Sequence, residues 1–149
     1  MNFKLPLIAA FVALTSLAAC GGGGSDSQTS EFPVESPAAL VKTDSSIGTG
    51  AEAVSGKAVK LHYTGWLYSS TATGFKGAQF DSSVGKTPLA FTLGTNAVVP
   101  GFEQGVLGMK VGGKRTVLIP SALGYGAAGR GSIPPNSGIV FDIELIEVK

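Results

Sequence analysis

Glycine and proline recur so often along this chain that long helices are excluded from most of it. Its 149 residues include 22 glycines and eight prolines, and beyond residues 21–24 these lie between short apolar runs. That spacing is typical of a β-rich domain, in which the turns need glycine and proline. A chain of this length holds one domain with a hydrophobic core and is too short for two full-sized domains.

Residues 57–67 show the clearest strand pattern. Val59, Leu61 and Tyr63 alternate with polar residues, a period of two that is typical of a half-buried strand. Residues 89–93, 114–120 and 138–148 are also predicted as strands. Residues 100–109 are predicted as one short helix, because Pro100 suits a first turn and two internal glycines limit its length. Antiparallel strands with a single helix indicate an α+β fold, with the sheet wrapped around the helix.

The N-terminal 19 residues form a predicted signal peptide. They carry one cation, Lys4, then an apolar run and a stretch of small residues, and they are too short to span a membrane stably. Leu17-Ala18-Ala19-Cys20 resembles a lipobox, which implies cleavage before Cys20 and lipidation of its thiol. The alternative is an ordinary cleavable signal in which Cys20 is incidental.

The resemblance to a lipobox also implies where the protein resides. A bacterial lipoprotein is exported and held on the envelope membrane by its acyl chains. Gly21, rather than Asp, follows the cysteine and implies an outer-membrane location, facing the periplasm or the cell exterior. Residues 20–37 are rich in glycine, serine and other polar residues and are predicted to be a flexible tether, with the folded domain over 38–149.

Composition excludes several functions. The net charge is +1, and without Lys4 the chain carries ten cations and ten carboxylates, so nothing favours nucleic acid as a partner. With one cysteine and one histidine, Cys20 and His62, the chain cannot form an intramolecular disulfide or a Cys/His zinc site, and we expect no Ser-His-Asp triad because His62 lies on a predicted strand. The glycine-rich residues 124–129 lack the strand–helix context of a dinucleotide site. We therefore expect neither a cofactor nor a metal.

Several aromatic motifs lie beside glycine, proline or aspartate, in an order and spacing that match one family. They are His62-Tyr63-Thr64-Gly65, Phe80-Asp81-Ser82-Ser83, Val98-Val99-Pro100-Gly101-Phe102-Glu103, Gly124-Tyr125-Gly126, Ile133-Pro134-Pro135-Asn136 and Val140-Phe141-Asp142-Ile143-Glu144-Leu145. Together, over residues 45–149, they resemble the FKBP-type peptidyl-prolyl cis/trans isomerases. The resemblance implies a five- to six-stranded antiparallel half-barrel sheet around one short helix, with a proline-binding pocket between them.

The resemblance also implies a role for each site residue. Phe102 is expected as the pocket floor and, with Asp81 and Tyr125, as a catalytic residue. The hydroxyl of Tyr125 is expected to donate to the carbonyl preceding the proline, and the backbone of Val99 to another peptide carbonyl. The remaining residues expected to contact substrate are Tyr63, Phe80, Val98, Ile133 and Phe141.

Two residues have competing interpretations. Asp81 either polarises the twisting amide or holds Tyr63 and the following turn, since aspartate favours local backbone hydrogen bonds. His62 is predicted to face away from Tyr63, because side chains alternate along a strand, so it is not expected in the site.

The chain departs from the family pattern at several pocket positions. Phe102 replaces the usual tryptophan floor, Leu89 replaces a frequent phenylalanine, and Arg130 and Ser132 lie in the flap loop. These departures bear on affinity for macrolide inhibitors, which the resemblance implies as ligands, more than on activity. Residues 66–79 form a longer connection than is usual in the family. We predict a solvated bulge there, with a partner or substrate contact as the alternative.

The function implied by the resemblance needs no nucleophile. Rotation about an X–Pro bond has a barrier of about 18–20 kcal/mol because twisting breaks amide resonance, and no covalent bond must break. We therefore expect an enzyme that isomerises X–Pro bonds in proline-containing peptides or unfolded exported proteins, acting as a monomer. The alternative is a lipid-anchored peptide-binding module or chaperone with the same fold and little turnover.

Overall fold

The computed structural model describes residues 34–149, and Val34–Lys149 form one compact unit. The predicted signal peptide, Cys20 and the tether up to residue 33 lie outside the described residues. Within the described part, no helix is both long enough and apolar enough to cross a bilayer.

Within residues 34–149, six antiparallel strands form one open sheet. In chain order they are β1 (Val41–Ser46), β2 (Ala58–Tyr68), β3 (Lys76–Ser82), β4 (Leu89–Thr92), β5 (Lys114–Ile119) and β6 (Ile139–Val148). Their spatial order is β1-β5-β6-β2-β3, and β4 pairs with the first half of β2 while β3 pairs with its second half. This confirms the predicted fold class, with six strands and one short α-helix.

Alternation along β2 and β6 places the core on one face of the sheet. Val59 and Leu61 are buried in β2, and in β6 the buried Leu145 pairs with Leu61 while the buried Ile143 pairs with Tyr63. Burial of these β-branched and aliphatic side chains supplies the main favourable term in folding. The helix packs on the same face of the sheet as these side chains. It contacts β5 and β6, and its residues Phe102 and Val106 belong to the same buried core.

The helix α1 (Pro100–Val106) is three residues shorter than predicted. It begins with Pro100 in the first turn and ends when Leu107 leaves helical geometry (φ −55°, ψ 130°), followed by Gly108 at a φ of +88°. Gly105 is required for packing, because a Cβ there would lie 2.8 Å from Cγ2 of Val117 in β5.

Arg115 in β5 binds the C-terminal end of α1. Its guanidinium donates to the backbone carbonyls of Gly105 (2.8 Å) and Leu107 (3.0 Å) and pairs with Asp44 of β1 (Nε to Oδ1, 2.7 Å). A cation at a helix C-terminus is favourable, since the unpaired carbonyls there carry partial negative charge. One buried side chain therefore joins the helix, the sheet and its edge strand.

The prediction of a solvated bulge over residues 66–79 was wrong. Trp66–Tyr68 continue β2, and β3 begins at Lys76, so only residues 69–75 form the turn of a β-hairpin that includes a 3₁₀ helix, Thr73–Phe75. The glycines, serines and threonines that predicted a loop occupy this turn and irregular positions in the strand pairing.

The first described residues are hydrogen bonded to the domain. The Glu35 carboxylate accepts from the backbone N–H and the hydroxyl of Ser70 (2.7 and 2.6 Å), and its carbonyl accepts from Gly138 N–H (2.7 Å). Ser36 Oγ accepts from Ser121 N–H (2.9 Å). The hydrogen bonds from Ser70 hold the pKa of the Glu35 carboxyl below its ordinary value of 4.5. The Ser70 hydroxyl makes the larger contribution and the Ser70 backbone N–H the smaller one.

Candidate functional site

A concave cavity of about 680 Å³ opens between α1, the sheet and the loop that follows the 3₁₀ helix Ser121–Leu123. All nine pocket residues predicted from the sequence line this one cavity: Tyr63, Phe80, Asp81, Val98, Val99, Phe102, Tyr125, Ile133 and Phe141. Their separate elements therefore converge on one place.

Four aromatic rings form an interlocked cluster, which we call the pocket cluster: Tyr63, Phe80, Phe102 and Phe141. Phe102 of α1 packs edge-to-face on Phe141 of β6, with ring centroids 4.8 Å apart and planes at 89°. Tyr63 packs at 5.8 Å on both of these rings, and Phe80 packs at 5.7 Å on Phe141. Edge-to-face contacts are a preferred aromatic geometry, so each ring fixes the orientation of the next.

Gly65 leaves the space that this cluster needs. A Cβ at this position would lie 2.7 Å from both Phe80 Cζ and Phe141 Cε1. Gly65 belongs to a motif singled out from the sequence, but its contribution to the site was missed, since a packing requirement on a neighbouring strand leaves no periodic signal.

Tyr63 and Asp81 form the polar edge of the cluster. The Tyr63 hydroxyl donates to Asp81 Oδ2 (2.6 Å), while Asp81 Oδ1 accepts from Ser82 N–H (2.8 Å). Burial raises the pKa of Tyr63 to about 12, and the hydrogen bond to the Asp81 carboxylate adds to the rise. The phenol is therefore a proton donor throughout the neutral range. These two hydrogen bonds are the ones expected if Asp81 holds Tyr63 and the following turn. The other interpretation, in which Asp81 polarises the twisting amide, stays a prediction.

Val98 and Val99 are half-buried at the entrance to α1. Val99 precedes the first helical residue with extended geometry (φ −61°, ψ 148°), and its carbonyl accepts from the N–H groups of Phe102 and Glu103. Glu103 Oε1 in turn accepts from Gly94 N–H (2.9 Å), while its Oε2 is buried without a partner among residues 34–149. Helix and preceding loop are thereby held together beside the cavity.

A tight turn carries the opposite wall. Arg130 and Ile133 exchange two backbone hydrogen bonds (2.9 and 2.8 Å), which brings the buried Ile133 side chain over the cavity. The Arg130 guanidinium lies over the Tyr125 ring, 5.7 Å from its centroid. Leu89, Gly131 and Ser132 also line the cavity, as do Asn96 and Ala97, which the sequence did not identify. Asn96 has a positive φ of 57°, a feature of loops that the amino-acid pattern leaves open.

His62 lies on the opposite face of the sheet, as predicted from alternation. Its Nδ1 is 3.0 Å from Ser83 Oγ, in a shallow groove that also contains Thr64 and Asp142. The same Ser83 hydroxyl accepts from the backbone N–H of Tyr63 (2.9 Å). His62 is therefore separated from the cavity by the sheet.

Sequence comparisons agree with these features. A family model described as FKBP-type peptidyl-prolyl cis-trans isomerase matches residues 50–146. An FK506-binding protein of Neisseria meningitidis serogroup A is 46% identical over 111 residues, covering 73% of this chain and 95% of the relative. The peptidyl-prolyl cis-trans isomerase FKBP15-3 of Arabidopsis thaliana is 49% identical over 100 residues, covering 67% of this chain and 66% of the relative.

Solved structures share the fold. AtFKBP13 is 40% identical with a TM-score of 0.64, and the match covers 80% of this chain and 99% of that structure. FkpA from Escherichia coli is 38% identical with a TM-score of 0.64, covering 78% of this chain and 51% of that structure. Both matches extend over more of the chain than the family model does.

Proposed function

Because the chain belongs to the FKBP-type peptidyl-prolyl cis-trans isomerase family, we propose that it accelerates X–Pro rotation in exported proteins, using the cavity between α1 and the sheet. The observation that carries this proposal is the convergence of nine predicted residues on one cavity with an interlocked aromatic floor. Relatives that are named for isomerase activity support the class of reaction.

In the proposed mechanism the proline ring of the substrate rests on Phe102, between Tyr63, Phe80 and Phe141. These rings remove apolar surface of the ring from water, which is favourable and not directional. The edge-to-face packing fixes the relative orientation of these rings. Binding energy is then available for positioning the amide that precedes the ring.

To accelerate the rotation, the cavity needs only to bind the twisted amide more tightly than either planar isomer. Each 1.36 kcal/mol of that difference is worth about tenfold in rate. Water stabilises the charge-separated planar amide, so transfer into an apolar cavity favours the twisted form. Two hydrogen-bond donors are proposed to hold the flanking carbonyls: the Tyr125 hydroxyl and the Val99 N–H, which has no protein acceptor among residues 34–149.

Asp81 is proposed to act by positioning Tyr63. Both of its oxygens already accept hydrogen bonds, one from Tyr63 and one from Ser82. An occupied carboxylate fixes the Tyr63 ring as one wall of the cavity. Its charge also lies beside the cavity mouth, which leaves a direct effect on the amide as the second possibility.

Two variants of Asp81 separate these roles. Exchange between cis and trans isomers of a short X–Pro peptide is measured by NMR with the full-length chain purified in detergent. We expect acceleration by the unmodified chain, most of it retained in Asp81→Asn, which keeps an acceptor for Tyr63, and much of it lost in Asp81→Leu. Equal losses in both variants would assign the effect to the charge. No acceleration by the folded, unmodified chain would leave the binding-module alternative.

We also propose that the protein is a monomeric lipoprotein of the bacterial envelope, anchored through Cys20, and that it acts on exported clients in the periplasm or at the cell surface. Leu17-Ala18-Ala19-Cys20 supports this proposal, and residues 21–33 separate Cys20 from the compact unit. Labelling cells with radioactive palmitate tests it. We expect label in the unmodified chain, located in the outer-membrane fraction, and none in Cys20→Ser. An unlabelled chain would contradict the anchor.

Macrolide inhibitors are proposed as ligands of the same cavity, since relatives bear the name FK506-binding protein. Inhibition of the peptide exchange by a macrolide tests this directly. Phe102 in place of the tryptophan floor predicts weaker binding than Phe102→Trp would show.

A further inference from the structure

Arg130 is the only cation among the residues that line the cavity. Its side chain is exposed, and its guanidinium carbon lies 5.7 Å from the centroid of the Tyr125 ring. Among residues 34–149 no carboxylate pairs with it, whereas the four ion pairs found there involve other lysines and arginines. A charge therefore faces the cavity with its hydrogen-bond donors available.

No carboxylate in the cavity lining neutralises the charge of Arg130. Asp81 is the only carboxylate in the lining, and its two oxygens already accept from the Tyr63 hydroxyl and from Ser82 N–H. Asp81 and Arg130 form no salt bridge. The two sides of the cavity thus present opposite charges, one satisfied by the protein and one left to solvent or to a ligand.

The position of Arg130 is defined by its backbone. Two hydrogen bonds between Arg130 and Ile133 close the turn, and Gly129 N–H donates to the Tyr125 carbonyl (3.1 Å). A cation–π contact with the Tyr125 ring, at 5.7 Å, favours this position of the guanidinium, which matches a carboxylate through two parallel N–H donors. These constraints reduce the conformational entropy that a flexible surface cation would lose on pairing.

We propose that Arg130 selects an acidic side chain at the residue immediately before the proline. The inference rests on the proposed function, in which the Tyr125 hydroxyl binds the carbonyl of that residue. Because Arg130 lies on the Tyr125 ring, a side chain that begins beside this hydroxyl comes within reach of the guanidinium. The pair is exposed, so the preference for glutamate over glutamine is expected to be about two- to fivefold.

The test uses peptides acetyl-Ala-X-Pro-Phe-amide in which X is Glu, Gln or Lys. For each, kcat/KM is measured by NMR exchange at low salt with the full-length chain in detergent, and the dissociation constant by shift titration. We expect the order Glu, Gln, Lys from fastest to slowest. Arg130→Gln should bring the Glu/Gln ratio to one, Arg130→Glu should invert it, and 1 M salt should weaken it, since the Debye length is then about 3 Å.

Lys57→Gln serves as the matched control, because it removes the same charge from an exposed lysine that does not line the cavity. This variant should keep the Glu/Gln ratio of the unmodified chain. A ratio of one in the unmodified chain, or an equal change in Lys57→Gln and Arg130→Gln, would overturn the proposal.

The inference and the proposed function fail separately. Acceleration of all three peptides at one rate would refute the role of Arg130 and leave the isomerase proposal intact. Absence of acceleration would refute the catalytic proposal, while the ratio of dissociation constants would still support or overturn the preference. Failure of the Glu peptide to bind at all would overturn it.

Discussion

Two aromatic clusters lie within a few residues of each other along β2, on opposite faces of the same sheet. In the pocket cluster Phe102 and Phe141 are only 3% and 4% exposed, Tyr63 and Phe80 are half-buried, and the rings meet edge-to-face. The second cluster, which we call the hairpin cluster, is the pair Tyr68 and Phe75 at the β2–β3 turn, two residues along β2 from Trp66. There Phe75 is 41% exposed and stacks in parallel on Tyr68, with centroids 5.5 Å apart.

The difference lies in what surrounds the rings. Beside the hairpin cluster, Lys76 lies over the Trp66 ring at 4.6 Å and pairs with Asp142 (2.6 Å), which also accepts from Thr116, so charged and polar groups border this part of the sheet. The pocket cluster instead frames a concave cavity, and its own polar edge is the hydrogen bond between Tyr63 and Asp81. Aromatic density alone does not indicate a binding site, because a ring is enclosed only where the aromatic side chains border a concave cavity.

Loss of a pocket ring should have the largest effect. Phe102→Ala removes a buried side chain that touches Tyr63 and Phe141, and we expect about 3–5 kcal/mol of lost stability, measured by urea denaturation. Phe75→Ala is the matched change in the hairpin cluster, and it should cost less than about 1 kcal/mol because the ring is exposed. Similar losses for the two variants would abolish the distinction between the clusters.

Overfilling the pocket cluster should have the next largest effect. The added methyl group in Gly65→Ala would meet Phe80 and Phe141 at 2.7 Å, so the rings must move. We expect about 1–3 kcal/mol of destabilisation, with weaker binding of an X–Pro peptide in NMR titrations. An unchanged affinity would show that the ring positions are not needed for binding.

The Tyr63 hydroxyl provides a smaller and more selective test. Tyr63→Phe leaves Asp81 Oδ2 without its protein donor and should cost about 0.5–1.5 kcal/mol, because Asp81 is exposed and water can replace the lost hydroxyl. Tyr68→Phe should be nearly neutral in the same thermal unfolding assay, since no hydrogen bond from the Tyr68 hydroxyl is found among residues 34–149. Equal effects of the two changes would contradict the assigned role of the Tyr63–Asp81 bond.

The smallest expected effect is the pH dependence of the hydrogen bonds between Ser70 and the Glu35 carboxylate, near the start of the described residues. The Ser70 donors lower the pKa of Glu35 below 4.5, so the stabilisation they give is complete above 4.5 and is lost as pH falls through the lower folded value. The Ser70 amide shift should report this titration by NMR. A midpoint at or above 4.5 would contradict the bonds from Ser70.

The fold could be predicted from the sequence wherever side chains alternate or carry family motifs. Val59, Leu61 and Tyr63 predicted β2, and the six motifs together predicted the cavity lining. The edge strand β1 was not predicted, because all six of its residues are exposed and show no alternation. β3 was missed because glycine and polar residues hid its pairing with β2.

The features that were not predicted from the sequence are those that depend on contacts between residues distant in sequence. Arg115 reaches the end of α1 and Asp44 only after three elements have assembled. Gly65 matters through rings on β3 and β6, and the position of Arg130 over Tyr125 follows from the turn that ends at Ile133. Local patterns predict elements and motifs, whereas the cavity is defined by contacts between elements.

The most direct test of the central claim compares catalysis in two variants that each replace one phenylalanine by leucine, a change that keeps an apolar side chain of similar size. Phe102→Leu alters the pocket cluster and Phe75→Leu alters the hairpin cluster, and cis/trans exchange of one X–Pro peptide is measured with both after folding is checked by circular dichroism. The account predicts a drop in kcat/KM of at least about tenfold for Phe102→Leu, equivalent to 1.36 kcal/mol, and no change for Phe75→Leu. Full activity in a folded Phe102→Leu variant would contradict it.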